Sequence, residues 1–112
     1  MLFDTHAHFD DAKFDADRDA VIRSLKEYGI DYVTNIGADT ASSQASVALA
    51  EKYDFIYAAV GVHPSETEKL SEKDMEILRD LAIAHDKVRA IGEIGLDYHF
   101  APYDAENQQY WF

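Results

Sequence analysis

Apolar and polar positions along this chain alternate between a period near two and a period near 3.6, and each switch marks an element. Met1 to Thr5 begins apolar and turns polar at Asp4, predicting a buried strand that ends at a functional edge. From Asp17 to Tyr28, the residues Val21, Ile22, Leu25 and Tyr28 share one helical stripe. Asp17 is placed as its N-cap, and Gly29 sits where a C′ glycine stops a helix. Tyr32 to Ile36 reads as a second strand, ended by Gly37. Thr40 to Tyr53 reads as a second helix, with Ala45, Leu49 and Tyr53 as its buried stripe. Phe55 to Val60 is a nearly continuous apolar strand closed by Gly61. Ser71 opens a third helix, with Asp74 completing a variant of the capping box and Met75, Leu78, Leu81 and Ala82 as its core face. Val88 to Ile91 is a fourth strand, and a last helix begins near Asp104.

Strand and helix thus alternate, and the strands are apolar enough to be covered on both faces. This predicts an α/β fold with about four parallel strands and intervening helices. Periodicity leaves open whether the sheet is open or barrel-like. The 112 residues suffice for one domain, residues 1–112, with no second. One feature does not fit a finished domain: the last helix stops as Tyr110, Trp111 and Phe112 arrive, with little for them to pack against.

Charge and composition narrow the function. Ten basic side chains stand against 22 acidic ones, a net charge of −12. That balance opposes a nucleic-acid module working through a broad basic surface, and equally opposes docking on anionic lipid. Any phosphate handled here is expected to be held locally, by a bound metal ion. The absence of cysteine excludes disulfides, thiolate metal sites and cysteine nucleophiles. With no apolar run approaching ~20 residues and no leader-like N-terminus, the expectation is a cytoplasmic protein with no membrane partner.

The candidate chemistry lies at the strand ends. In His6-Ala7-His8, residues two apart in extended backbone point the same way, so both imidazoles can approach one metal ion. Sites in parallel α/β folds form at the carboxyl ends of strands, where this pair lies. Glu93 occupies the equivalent end of strand four, between Gly92 and Gly95, and could complete the site or bridge two metals. His63 follows strand three and is held extended by Pro64; a ligand, a substrate contact and a loop-packing role all remain open. Asp10 and Asp11 are candidates to orient a ligand imidazole, with a solvated acidic turn as the alternative for Asp11. Asp97 either orients the Glu93 loop or makes a turn. His85 reads as structural at a helix C-terminus, nothing in its spacing supports a role for His99, and Asp15, Asp17 and Asp19 read as a solvated helix start. No phosphate-cradling glycine loop and no serine elbow appears.

Taken in order, Phe3-Asp4-Thr5-His6-Ala7-His8-Phe9-Asp10, Gly61-Val62-His63-Pro64 and Gly92-Glu93-Ile94-Gly95-Leu96-Asp97-Tyr98 resemble the TatD family of metal-dependent hydrolases. Gln109 and Phe112 sit like the glutamine and phenylalanine that open the family's next helix. The resemblance implies the first half of a (β/α)₈ TIM-type barrel and a DNase-type phosphodiesterase releasing nucleotides from DNA ends. It implies two divalent metal ions (Mg, Mn or Zn), with His6 and His8 on one metal, Glu93 bridging both, and His63 placing the scissile phosphate. Such a barrel takes about 250 residues. The family's later ligands, two histidines and a catalytic aspartate, therefore have no counterpart here, and a C-terminal half or another chain is expected to complete the barrel. The chain alone is expected to be inactive and prone to association through its open strand edges. Two other readings stand beside this one. The first is an amidohydrolase acting on a small amide or ester, which a lysine on strand four in place of Glu93 would favour. The second is a non-catalytic fragment that binds metal or a partner.

Overall fold

The computed structural model describes all of residues 1–112. Four strands, β1 (Leu2–Ala7), β2 (Ile30–Ile36), β3 (Ile56–Val60) and β4 (Val88–Ile91), form one sheet in the order β1-β2-β3-β4. Every neighbouring pair is parallel, with Val33 opposite Ile56 and Val60 opposite Ile91. Between them run the helices α1 (Arg18–Ser24), α2 (Thr40–Lys52) and α3 (Glu72–Ala84), and α4 (Ala105–Trp111) follows β4. Sequential parallel order with a helix in each crossover is the arrangement expected of successive βα units in a (β/α)₈ barrel.

One face of the sheet carries the core. Val33, Ile56, Ala58 and Val60 point toward the helices and pack with Ile22, Leu25, Val47, Ala50 and Leu78. Their alternate neighbours point the other way. There Phe3, Tyr32 and Tyr57 form an aromatic row across three strands, with ring centroids 6.0 and 6.4 Å apart. Phe3 and Tyr32 remain exposed. Pairing stops at β1 on one side and β4 on the other, and Leu2 and Ile91 on these two edge strands are exposed. This is the inner surface and the two seams of a barrel wall.

Three details depart from the periodicity. Leu25–Tyr28 tightens into a 3₁₀ turn, and three residues per turn carry Tyr28 off the apolar stripe into solvent. Gly29 stops this helix in the left-handed region, at φ 82°, as expected. Asp17 occupies the N-cap position of α1 without a capping hydrogen bond. In α2 the face toward the sheet is built by Ser43, Ser46, Val47 and Ala50, while Ala45 is only half-buried. Hydropathy misses this face because both serines are satisfied in the interior. Ser43 Oγ takes the Gly61 N–H at 3.1 Å and lies 3.1 Å from the Gly61 carbonyl; Ser46 Oγ accepts from Asn35 at 2.8 Å. Gly37 allows the approach: a Cβ there would lie 2.7 Å from Ser43 Cα.

The helix starts follow the local code closely. Ser71 and Asp74 form a capping box on α3, Asp104 caps α4, and Asp39 and Ser42 form a second box on α2. The Asp39 carboxylate accepts from the Ser42 N–H and hydroxyl, and these bonds hold its pKa below the ordinary value. A depressed folded pKa means stabilisation that is present above the unfolded pKa and is lost as pH falls through the folded one. Asp39→Ala should therefore cost about 1 kcal/mol at neutral pH. The cost should shrink below about pH 4, while Asp39→Asn keeps the cap without the pH dependence. Urea unfolding across pH 2.5–7 reads both effects, using about this range to bracket an aspartate.

Candidate metal centre at the carboxyl ends of the strands

His6 lies within β1 and His8 just beyond it, because the strand runs to Ala7, two residues past its predicted end. The pairing with β2 shifts register between Asp4 and Ala7, and the His6 N–H turns to Asp4 Oδ1 at 3.1 Å. Glu93 lies two residues past β4 on the same rim. Its backbone N–H donates to the Gly37 carbonyl at 2.7 Å, and that of Gly92 donates to Val60 at 3.0 Å. The ends of β2 and β3 thus hold the Glu93 segment by its backbone. Gly61 is packed against that segment: a Cβ there would lie 2.2 Å from the Glu93 carbonyl oxygen.

These segments bring three side chains together. His6 Nε2 lies 3.1 Å from His8 Nε2 and 3.0 Å from Glu93 Oε1, and His8 Nε2 lies 3.4 Å from the same oxygen. Ligands about 2.1 Å from one divalent ion are spaced about 3.0 Å apart in an octahedron and about 3.4 Å in a tetrahedron. The triangle therefore fits one face of a metal coordination sphere. Its donor chemistry fits as well. His8 Nδ1 lies 3.0 Å from the Ile36 carbonyl, which can only accept, so Nδ1 holds the proton and the neutral ring directs a lone pair from Nε2. A single proton on His6 Nε2 could satisfy one approach at a time; a cation at the centre satisfies all three. His6 and His8 keep 56% and 40% of their side-chain surface against 21% for Glu93, so the triangle is open on the histidine side. Open positions of this kind admit further ligands or substrate.

The other candidates lie differently. His63 stands at the end of β3 outside the triangle. Its N–H donates to Ala38 at 2.8 Å, and its Nδ1 accepts from the Ser65 N–H at 3.2 Å. In the neutral ring this leaves Nε2 as a proton donor, suited to an anion rather than to a metal. Neither Asp10 nor Asp11 hydrogen-bonds a ring nitrogen of His6 or His8 directly. Asp10 accepts from Asn35, Asp11 caps the turn Ala12–Phe14, and the group that holds His8 is the Ile36 carbonyl. Asp97 accepts from the His99 N–H, which is the turn-making alternative. Gln108 secures that loop, bonding both the N–H and the carbonyl of Asp97, and Gln109 Nε2 donates to the Tyr98 hydroxyl at 3.0 Å. His85 caps α3 and meets Glu51 at 3.1 Å, and the His99 ring packs on Phe100. Asp15 and Asp19 are not merely solvated: Asp15 pairs with Arg18, and Asp19 meets Arg23, the Tyr53 hydroxyl and Lys52. Those three partners, Arg23 first, hold the Asp19 carboxyl well below its ordinary value.

Two contributors escaped the sequence reading. The Ile36 carbonyl leaves no trace in any side-chain pattern. Asn35, fully buried in β2, had one available signal: an amide in an otherwise apolar strand needs partners.

Residues 3–112 match the family described as TatD related DNase. The chain is 40% identical over 110 residues to an uncharacterized metal-dependent hydrolase, YabD, of Bacillus subtilis, covering 96% of this chain and 43% of that protein. It is 34% identical over 112 residues to the 3′-5′ ssDNA/RNA exonuclease TatD of Erwinia tasmaniensis, covering 99% and 43%. The crystal structure of YjjV, a TatD homolog from Escherichia coli K12, superposes with a TM-score of 0.88 at 34% identity, covering 98% of this chain and 43% of that one. The chain thus spans less than half the length of these relatives. No helix is long and apolar enough to cross a membrane.

Proposed function

The chain belongs to the TatD related DNase family, and on that footing we propose that it supplies part of the metal centre of a phosphodiester hydrolase acting on nucleic-acid ends. The observation that supports this most is the convergence of His6, His8 and Glu93, whose ligand atoms all lie within 4.8 Å of one another. The reading assigns His6 and His8, through their Nε2 lone pairs, to one divalent cation. It assigns Glu93 Oε1 to the same cation, with the second carboxylate oxygen available to bridge to another. When bound, such cations supply Lewis-acid charge at a phosphoryl oxygen and activate water at neutral pH. His63 Nε2–H is assigned to the phosphate, donating a hydrogen bond that places it. The net charge of −12 supports the division of labour, since an acidic scaffold repels a phosphate backbone and leaves affinity to cations and to His63. A carboxylate at position 93, where a lysine would favour the amidohydrolase reading, supports phosphodiester chemistry. Further ligands belong to the remaining length of the barrel, in a C-terminal half or a second chain.

Chelation tests the proposal. Protein with its barrel complete should cleave 5′-labelled single-stranded DNA, lose that activity in EDTA and regain it with Mn²⁺ or Mg²⁺. Cleavage that survives exhaustive chelation, or none with any of Mg²⁺, Mn²⁺ and Zn²⁺, would sink it.

A further inference from the structure

The loop that follows His8 is held from two sides by residues that the chemistry above does not use. Asn35 on β2 is fully buried, and every polar atom of its amide is engaged. Its Oδ1 accepts the Phe9 N–H at 2.6 Å, while Nδ2 donates to Asp10 Oδ1 and to Ser46 Oγ, each at 2.8 Å. From the outer side the Arg18 guanidinium reaches the carbonyls of Phe9, Asp10 and Asp11 at 2.6, 3.3 and 3.1 Å. Neither residue hydrogen-bonds His6, His8 or Glu93. The residue after Asn35 is Ile36, whose carbonyl accepts from His8 Nδ1 at 3.0 Å. Two consecutive residues of β2 therefore grip His8 at both ends, one through the ring and one through the backbone that follows it.

We infer that Asn35 is a positioning residue, which with Asp10 sets the His8 ring against Ile36 and so aims Nε2 at the metal triangle. This rests on the metal-centre reading above. The alternative role for a buried Asn–Ser–Asp network is fold stability alone, and the chemistry of the amide separates the two. Only a group that accepts from Phe9 while donating to Asp10 holds this loop in register. Asn35→Asp keeps the volume and the Phe9 bond but sets two carboxylates face to face. Asp10→Asn added to it exchanges donor and acceptor and restores the bond between positions 35 and 10, while the Ser46 hydroxyl, accepting from Asn35 in the wild type, turns to donate. Outer partners of ligand histidines commonly govern metal affinity by about 10–100-fold.

The test measures Mn²⁺ affinity by calorimetry on the intact protein, with the His8 Nδ1–H resonance of the metal-free protein followed alongside by ¹⁵N NMR. Asn35→Asp should weaken Mn²⁺ binding at least about tenfold and broaden or lose the ring proton. Asn35→Asp with Asp10→Asn should return both to near wild type. Thermal stability recorded for each variant identifies any that fails to fold, in which case Asp10→Ala, altering only the half-exposed end of the network, replaces it. Folded variants with wild-type affinity and an unchanged ring proton would overturn the inference. So would weakened affinity that the exchanged pair does not restore. If wild type binds no Mn²⁺, the metal-centre reading fails separately, and the ring proton alone decides whether Asn35 positions His8.

Discussion

In protein with its barrel complete, Glu93→Ala is expected to abolish the proposed metal-dependent hydrolysis, lowering turnover on the order of 10²–10⁴-fold. Glu93 supplies the only anionic atom among the three that converge, and both imidazoles approach the same Oε1, at 3.0 and 3.4 Å. Removing it leaves two histidines 3.1 Å apart, with no anionic atom among them to oppose a divalent cation. His6→Ala should lower activity comparably, because it removes one of the three ligand atoms that converge. Arg23→Ala is the matched control. Arg23 is largely exposed on α1 and pairs with Asp19 at 2.7 Å, so turnover should stay within about twofold and stability should barely change. Calorimetric Mn²⁺ titration beside the nuclease assay separates lost metal from lost chemistry. Near-normal activity of Glu93→Ala in Mg²⁺ would remove Glu93 from the centre.

A single methyl group at Gly61 should do almost as much damage without touching a ligand. The added Cβ would lie 2.2 Å from the Glu93 carbonyl oxygen and 2.7 Å from Gly92 carbon, both backbone atoms. Neither can swing away as a flexible side chain would, so the Gly92–Glu93 segment must shift off the end of β3. Overpacking of this kind costs about 1–3 kcal/mol. The shift also pulls Glu93 from the histidines, and Mn²⁺ affinity should drop at least about tenfold. Gly29→Ala separates the two effects. Its φ of 82° disfavours a side chain, yet nothing lies within 4 Å of the added carbon. It should lose about 1 kcal/mol of stability and keep wild-type affinity. Denaturant melts and metal titrations of both variants decide the matter, and equal affinities would show that Gly61 does not hold Glu93 in place.

Much of the architecture was legible along the chain because its causes are local. An apolar strand ended by glycine, a capping serine three residues before an aspartate, and a C′ glycine each act within a few residues. The four strands, the helix starts at Ser71 and Asp104, and the stop at Gly29 follow from such signals. The motif order placed His6, His8 and Glu93 on one rim for the same reason, since a parallel βα repeat puts every strand end on that side. The local signals failed where a partner distant in sequence settled the outcome. Ser43 and Ser46 look like surface residues until Gly61 and Asn35 meet them. Asp10 looks like a partner for His8 until the pairing of β1 with β2 delivers the Ile36 carbonyl instead.

What the sequence alone determined is the alternation of elements, the parallel α/β class and the identity of the residues proposed here to bind a metal. The 3.0–3.4 Å triangle was decided only by tertiary structure. So were the tautomer of His8, set by a backbone carbonyl 28 residues away, and the steric dependence of Glu93 on Gly61. The physical reason is one of range: propensity, capping and hydropathy operate over a turn or a strand. The distance and proton inventory of a site depend on backbone groups that meet only once the sheet has formed.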